Sequence, residues 1–136
     1  MNYWIFQSTH DFFDLRDEGN LSTGQDGHWR ATSYRSKMKI GDLIFFWMAG
    51  PSEIRGIYGW GHLTSLPYKE SGKYRVDLKV DRRLTTFLPA TTIKLVEKLA
   101  TMTIFTVRAG SNFLISQDEA RLIADLLAEP ERPEEV

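Results

Sequence analysis

Residues 35 to 51 read Arg35-Ser36-Lys37-Met38-Lys39-Ile40-Gly41-Asp42-Leu43-Ile44-Phe45-Phe46-Trp47-Met48-Ala49-Gly50-Pro51. Six large apolar residues, Leu43 to Met48, lie between a Gly-Asp turn and a Gly-Pro stop. Gly41 supplies the positive φ that a tight turn needs, and Asp42 can cap the turn through its side chain. An extended chain then puts Leu43, Phe45 and Trp47 on one face and Ile44, Phe46 and Met48 on the other. Both faces are apolar. The segment is therefore expected to be a central strand covered on both sides, as in a barrel with further structure packed against it.

Upstream of this strand, Arg30 to Lys39 holds Arg30, Arg35, Lys37 and Lys39 with no acid, the densest basic segment of the chain. Before it, Asp17 to His28 is polar, contains Gly19, Gly24 and Gly27, shows no periodicity, and reads as a loop closed by Trp29. Tyr3 to Gln7 is aromatic and β-branched, as in a mostly buried first strand. Ser8 or Thr9 can cap a short helix running through Phe12, Phe13 and Leu15.

Downstream, Gly50-Pro51-Ser52-Glu53 is a turn, and Ile54 to Leu63 reads as a strand whose Gly56, Gly59 and Gly61 mark bends, bulges or close approach of another backbone. Pro67 to Lys73 is a polar hairpin region. Tyr74 to Val80 alternates as a half-exposed strand, and Arg82 to Leu88 continues it toward Pro89. Thr91 to Ala100 is expected to be a helix with Ile93, Leu95, Val96 and Leu99 inward, Met102 to Val107 a last strand, and Arg108 to Phe113 a loop. Ser116-Gln117-Asp118-Glu119 is a capping box opening a helix that carries Ala120, Ile123, Ala124 and Leu127 on one face. The expected class is α+β: a bent barrel of five to six strands with flanking helices in one domain, residues 1–127, followed by an acidic flexible tail over 128–136.

Composition narrows the function. The chain has 136 residues, 42% hydrophobic and 26% charged, and its longest apolar run is far short of the ~18 residues that cross a membrane. No basic, apolar leader begins it, so a cytoplasmic protein with no membrane partner is expected. It has no cysteine, which excludes disulfides, Cys-ligated zinc and a thiol nucleophile. The net charge of -1 hides a segregation: seven of 18 acids but only two of 17 bases follow Ser116, leaving 15 bases against 11 acids in the body. A body of that sign is compatible with a polyanion partner without requiring one.

Catalytic and metal-ligating sets are sparse. His10, His28 and His62 stand in no recognisable motif, and Asp11 and Asp14 beside His10 make at most a minimal hydrolase or metal set. Gly56-Ile57-Tyr58-Gly59-Trp60-Gly61 has the wrong spacing for a dinucleotide fingerprint. The aromatics are more informative. Trp4, Trp47 and Trp60 lie in expected strands, where core packing accounts for them. Trp29 stands at the end of a polar loop directly before Arg30. It either plugs the end of a barrel or offers a π-face on which a base can stack, with neighbouring cations to neutralise phosphates.

Taken together, Asn2-Tyr3-Trp4-Ile5-Phe6-Gln7, Trp29 with Tyr34-Arg35, Met38-Lys39-Ile40-Gly41-Asp42, Phe46-Trp47-Met48-Ala49-Gly50, Gly56-Ile57-Tyr58-Gly59 and Arg108-Ala109-Gly110-Ser111-Asn112-Phe113 resemble the EVE domain. That domain belongs to the PUA-like superfamily, related to the YTH and ASCH domains. The resemblance implies a PUA-like bent barrel and a non-enzymatic module that reads a modified base, a modified cytosine or adenine in DNA, flipped into an aromatic pocket. By position it implies a base pocket from Trp29, Gln7, Ser8 and Trp47, with Trp47 either pocket wall or core. It implies backbone contacts from Arg108, Ser111 and Asn112, joined by the cations Arg30, Arg35, Lys37 and Lys39. It brings in no cofactor and no metal. Ser8-Thr9-His10 stands where the family often has Ser-Glu-Pro, so the resemblance does not carry the identity of the modification. A PUA-like module for tRNA or rRNA is the alternative within the same class, and a small hydrolase the alternative outside it. A solitary reader of this kind is expected to be a monomer that recruits an effector protein.

Overall fold

Among the residues described by the computed structural model, 1–107 and 109–136, the chain forms seven strands and four short helices. In order they are β1 (Tyr3–Thr9), β2 (Asp26–Arg30), β3 (Leu43–Ala49), β4 (Gly56–Leu63), β5 (Tyr68–Glu70), β6 (Lys73–Pro89), α1 (Ala90–Ile93), α2 (Glu97–Ala100), α3 (Thr103–Thr106), β7 (Asn112–Ile115) and α4 (Gln117–Leu126). One sheet runs β2-β6-β4-β3-β1-β7, with β5 paired to the start of β6. Among the described residues only the β1–β3 pair is parallel.

The apolar run is the middle of this sheet, as its two-faced pattern requires, and Ile44 to Met48 are fully buried. Ile44, Phe46 and Met48 join Trp4 and Phe6 of β1 in a core that includes Leu15, Leu21, Tyr58 and Leu78. Phe45 and Trp47 join Tyr3 and Ile5 in a second core, closed by Ile93, Leu99, Ile104 and Ile123 from the helices. The parallel pairing is secured by Asp42, which is fully buried. Its carboxylate accepts hydrogen bonds from the backbone N–H of Asn2 at 2.9 Å, the indole N–H of Trp4 at 3.0 Å and the backbone N–H of Lys39 at 2.9 Å. Asp42 therefore does more than shape its turn: it locks the start of β1 beside the start of β3. Charge-assisted bonds of this kind contribute about 1.5–3 kcal/mol each.

The glycines of β4 allow close approach to β6. A Cβ on Gly61 would run into the Lys79 carbonyl, and one on Gly56 into that of Leu88. The pairing shifts register on either side of Tyr58 and between Trp60 and Gly61, and such bulges curl a sheet. The capping box of α4 forms with both reciprocal bonds, and Ala120, Ile123 and Ala124 are buried.

Several local expectations are corrected. The expected curled sheet forms, with six strands along its path and β5 beside them, but the last residues of the supposed loop over 17–28 pair with β6 as β2. There Gly27 and Trp29 alternate inward against exposed Asp26, His28 and Arg30, a period-two pattern hidden by its polar half. No helix forms through Phe12 to Leu15; turns occupy that stretch. The helix over 91–100 breaks into α1 and α2, since Val96 is extended and Leu95 is exposed rather than inward. Met102 to Val107 is no strand. It holds the single turn α3, whose Ile104 fills the helix-side core, while the strand beside β1 comes from Asn112–Ile115. Short apolar runs do not distinguish the two states by pattern.

The acidic tail returns to the sheet. Glu131 is buried and its carboxylate accepts from the Thr85 backbone N–H at 2.8 Å and from Arg82 at 3.3 Å, while its carbonyl accepts the Trp60 indole N–H at 2.7 Å. An acid that finds a cation and a free strand-edge N–H does not behave as its composition suggests.

Candidate functional site

Strand β2 lies at one edge of the sheet and β7 at the other. A side chain of β7 joins them. Asn112, buried at the start of β7, accepts the Thr32 backbone N–H at 2.8 Å and the Thr32 hydroxyl at 3.2 Å, and donates to the Arg30 carbonyl at 2.9 Å. Both ends of its amide are committed to the chain leaving β2. That corrects the expected phosphate contact: Asn112 is a closing staple, and its hydrogen-bonding groups face the protein.

The staple sets the position of Trp29. Its indole packs against Phe46 with ring centroids 5.5 Å apart, Phe6 at 6.0 Å and the edge of Phe13 at 5.9 Å. Its N–H donates to the Gln7 carbonyl at 3.3 Å. The ring is half-buried and borders a cleft of about 260 Å³ whose walls include Phe13, Leu21, Phe46, Leu78 and Val80, with Asn20, Gln25, Asp26 and His28 on the rim. Gln25 is occupied in holding Ser22 and Gly19. The cleft lies near the lower end of the ~300–1,000 Å³ typical for small-ligand sites and suits a flat heterocycle better than an extended ligand.

The other expected pocket residues divide between the two faces. Ser8 shares the face of β1 that carries Phe6, and its hydroxyl is buried without a hydrogen-bond partner among the described residues. Gln7 points to the opposite face, where its amide donates to the Gly110 carbonyl at 2.8 Å; its link to Trp29 runs through its backbone. Trp47 is core, which resolves the alternative left open by the sequence. It is fully buried, packs edge-on against Phe105 at 5.6 Å, and lies across the sheet from Phe46 and Trp29. The apolar alternation of β3 guarantees this, because neighbouring residues cannot share a face. What sequence reasoning missed are Phe6, Phe13 and Phe46, the rings that surround Trp29.

Among the expected cations, Arg30 is exposed and stands opposite Arg75 in the β2–β6 register. Like charges placed across a strand pair oppose folding, so this pair concentrates positive potential at some expense of stability. Arg35 stacks on Tyr74, 3.8 Å from the ring centroid, and the Lys69 ammonium is 5.8 Å from the same ring. Lys69 thereby joins Arg35 on the face of β6 that carries Tyr74, whereas Arg30 and Arg75 share the other face, where Glu70 lies 3.9 Å from Arg75; Lys73 follows on the same hairpin. The even spread of Lys69, Lys73 and Arg75 through a polar hairpin concealed them in the sequence. Lys37 and Lys39 are exposed but belong to the far end of β1, where the Lys37 carbonyl accepts from Asn2. Five residues of extended chain, roughly 16 Å, separate Asn2 from Gln7. Ser111 is half-buried, with its carbonyl accepting the Gln7 backbone N–H. Arg108 lies outside the described residues.

The three histidines of the hydrolase alternative do not gather at one place: only His10 lies near Asp14, whose carboxyl it helps to lower after Arg16. His62 lies 2.6 Å from Asp81 across β4 and β6, whereas His28 projects from the outer face of β2. Asp14 is engaged by Arg16, whose hydrogen bond holds its carboxyl below the usual carboxylate range. Among the described residues no group of three or more His, Cys, Asp or Glu side chains could hold a metal.

A family model described as the EVE domain matches residues 2–126. No curated protein matches the sequence. Among solved structures, a hypothetical protein from Leishmania major is 22% identical with a TM-score of 0.75, covering 97% of this chain and 98% of that one. Human THYN1, solved in complex with 5-methylcytosine-containing DNA, is 19% identical with a TM-score of 0.73, covering 93% and 97%. A protein from Agrobacterium tumefaciens is 20% identical with a TM-score of 0.70, covering 98% and 100%. These likenesses establish the PUA-like fold.

Proposed function

The chain belongs to the EVE domain family, and on that premise we propose that it is a non-enzymatic nucleic-acid-binding module that draws one modified base, a modified cytosine or adenine of DNA, out of its stack and holds it against Trp29. The observation that carries this reading is the half-buried indole bordering an apolar cleft, with its N–H fixed to Gln7 and its surroundings lined by aromatic rings. A rigid π-face of this kind is what a flipped base needs. That a protein of the same fold was solved with methylated DNA supports the choice of polymer.

Magnitudes divide the work. Extruding a base costs a few kcal/mol, and stacking it on an aromatic ring returns about 1–3 kcal/mol. Phosphate contacts supply the rest, from Arg30 next to Trp29, from Arg35 and Lys69 around Tyr74, and from Lys37 and Lys39 about five nucleotide steps away at ~3.4 Å per step. A methyl group buried in the cleft contributes about 0.8 kcal/mol, a preference of about fourfold for the modified over the plain base. Fluorescence tests the reading. Stacking on Trp29 quenches an indole, so wild-type emission falls on adding an oligonucleotide with the modified base, and the Trp29→Phe variant lacks that component. Quenching of equal size in the two proteins would exclude Trp29 as the stacking surface.

A further inference from the structure

Next to the cleft is a feature that base stacking alone does not use. At the end of β1 the chain makes a tight turn in which the backbone N–H groups of Phe12 and Phe13 both donate to the Thr9 carbonyl, at 3.2 and 2.9 Å. The turn directs two consecutive phenylalanines oppositely. Phe13 enters the cleft wall and meets Trp29 edge-on. Phe12 points away and is 90% exposed, more than any other large apolar side chain among the described residues. The segment is held firmly: the Leu15 N–H donates to Met48 sulfur at 3.3 Å, Arg83 donates to the Leu15 carbonyl at 2.8 Å, and Asn20 donates to the Asp14 carbonyl at 2.9 Å. A phenylalanine left in water on a braced turn forgoes the burial that would otherwise stabilise the fold.

Resting on the reading above, and extending it to the form of the polymer, we propose that Phe12 is a wedge that enters the stack at the place vacated by the flipped base, so that the ligand is a duplex. Consecutive Cα atoms are 3.8 Å apart, close to the ~3.4 Å rise between stacked bases. One ring of the pair borders the space that receives the base, and its neighbour is within reach of the gap the base leaves. Proteins that unstack duplexes insert apolar side chains in this way. A single strand has no opposing partner whose stack needs filling, so the wedge serves only double-stranded ligand.

The experiment measures affinity for a duplex and for a single strand of one sequence, each carrying 5-methylcytosine in one set and N6-methyladenine in another. The proteins are wild type, Phe12→Ala, Phe12→Leu and Trp29→Ala. With the better-bound modification, Phe12→Ala is expected to weaken duplex binding by at least about tenfold, the low end for loss of a buried phenylalanine. Single-strand binding should be unchanged, and Phe12→Leu should retain most of the duplex affinity. Exposure of Phe12 means that the thermal midpoint should not move. Equal loss on both forms, no loss on duplex, or a wild type that prefers the single strand overturns the wedge. If Trp29→Ala loses the modified base while Phe12→Ala matches wild type, the wedge alone fails; if Trp29→Ala also matches wild type, or wild type binds neither modified set in preference to plain DNA, the base-reading function fails.

Discussion

Replacing Asn112 by alanine separates two roles that the sequence alone could not tell apart. If Asn112 is the staple between β7 and the chain leaving β2, the substitution orphans the Thr32 N–H and the Arg30 carbonyl and removes three hydrogen bonds. A buried group left unsatisfied costs about 1–3 kcal/mol. Because Thr32 and Arg30 are exposed, the lower half of that range applies to each of the two groups, for a total of roughly 2–4 kcal/mol. For a chain of this size about 1 kcal/mol shifts the midpoint by ~3 °C, so Tm should fall by roughly 6–12 °C. Thermal unfolding provides that number, and urea unfolding should show a lower midpoint with an unchanged slope. Asn112→Asp keeps the acceptor toward Thr32 but turns a carboxylate on the Arg30 carbonyl, so it should be destabilised as well. A phosphate contact behaves differently: the loss of a neutral amide donor to phosphate weakens modified and plain oligonucleotides alike and leaves stability alone. An Asn112→Ala protein with wild-type Tm and uniformly weaker oligonucleotide binding would refute the staple.

Asp42→Ala should be severely destabilised, by about 3 kcal/mol or more, because it leaves the buried Trp4 indole N–H and two backbone N–H groups unpaired; urea unfolding measures this. Trp47→Phe should leave the preference for a modified base unchanged in competition binding, since Trp47 packs on the far side of the sheet and its own N–H has no partner among the described residues. Lys37→Ala should weaken modified and plain oligonucleotides alike and flatten the salt slope by about 0.9, as for a contact to phosphate alone.

The parts of this fold that could be read from the sequence are those whose signal is local. Leu43 to Met48 could only be a strand buried on both faces, and the same alternation that showed this also separates Trp47 from Phe46. Ser116 and Glu119 stand at capping-box spacing, and the box forms. What escaped notice depends on partners distant along the chain. Strand β2 is half polar and acquires its pattern only when Gly27 and Trp29 meet β6. Asn112 looked like a loop donor because nothing near it in sequence shows that Thr32 is its partner, 80 residues away. Glu131 belonged to an acidic stretch until Thr85 and Arg82 supplied its partners. At the site, the isolated position of Trp29 beside Arg30 was visible, whereas its ring of phenylalanines came from three separate segments and was not.

The most direct measurement compares the affinities of wild type and Trp29→Ala for oligonucleotides identical except for one modified or plain base. Wild type should favour the modified base by about fourfold or more, and Trp29→Ala should bind both weakly and alike while remaining folded. Equal affinity of wild type for modified and plain strands across cytosine and adenine modifications, or an undiminished preference in Trp29→Ala, would contradict the base-reading site.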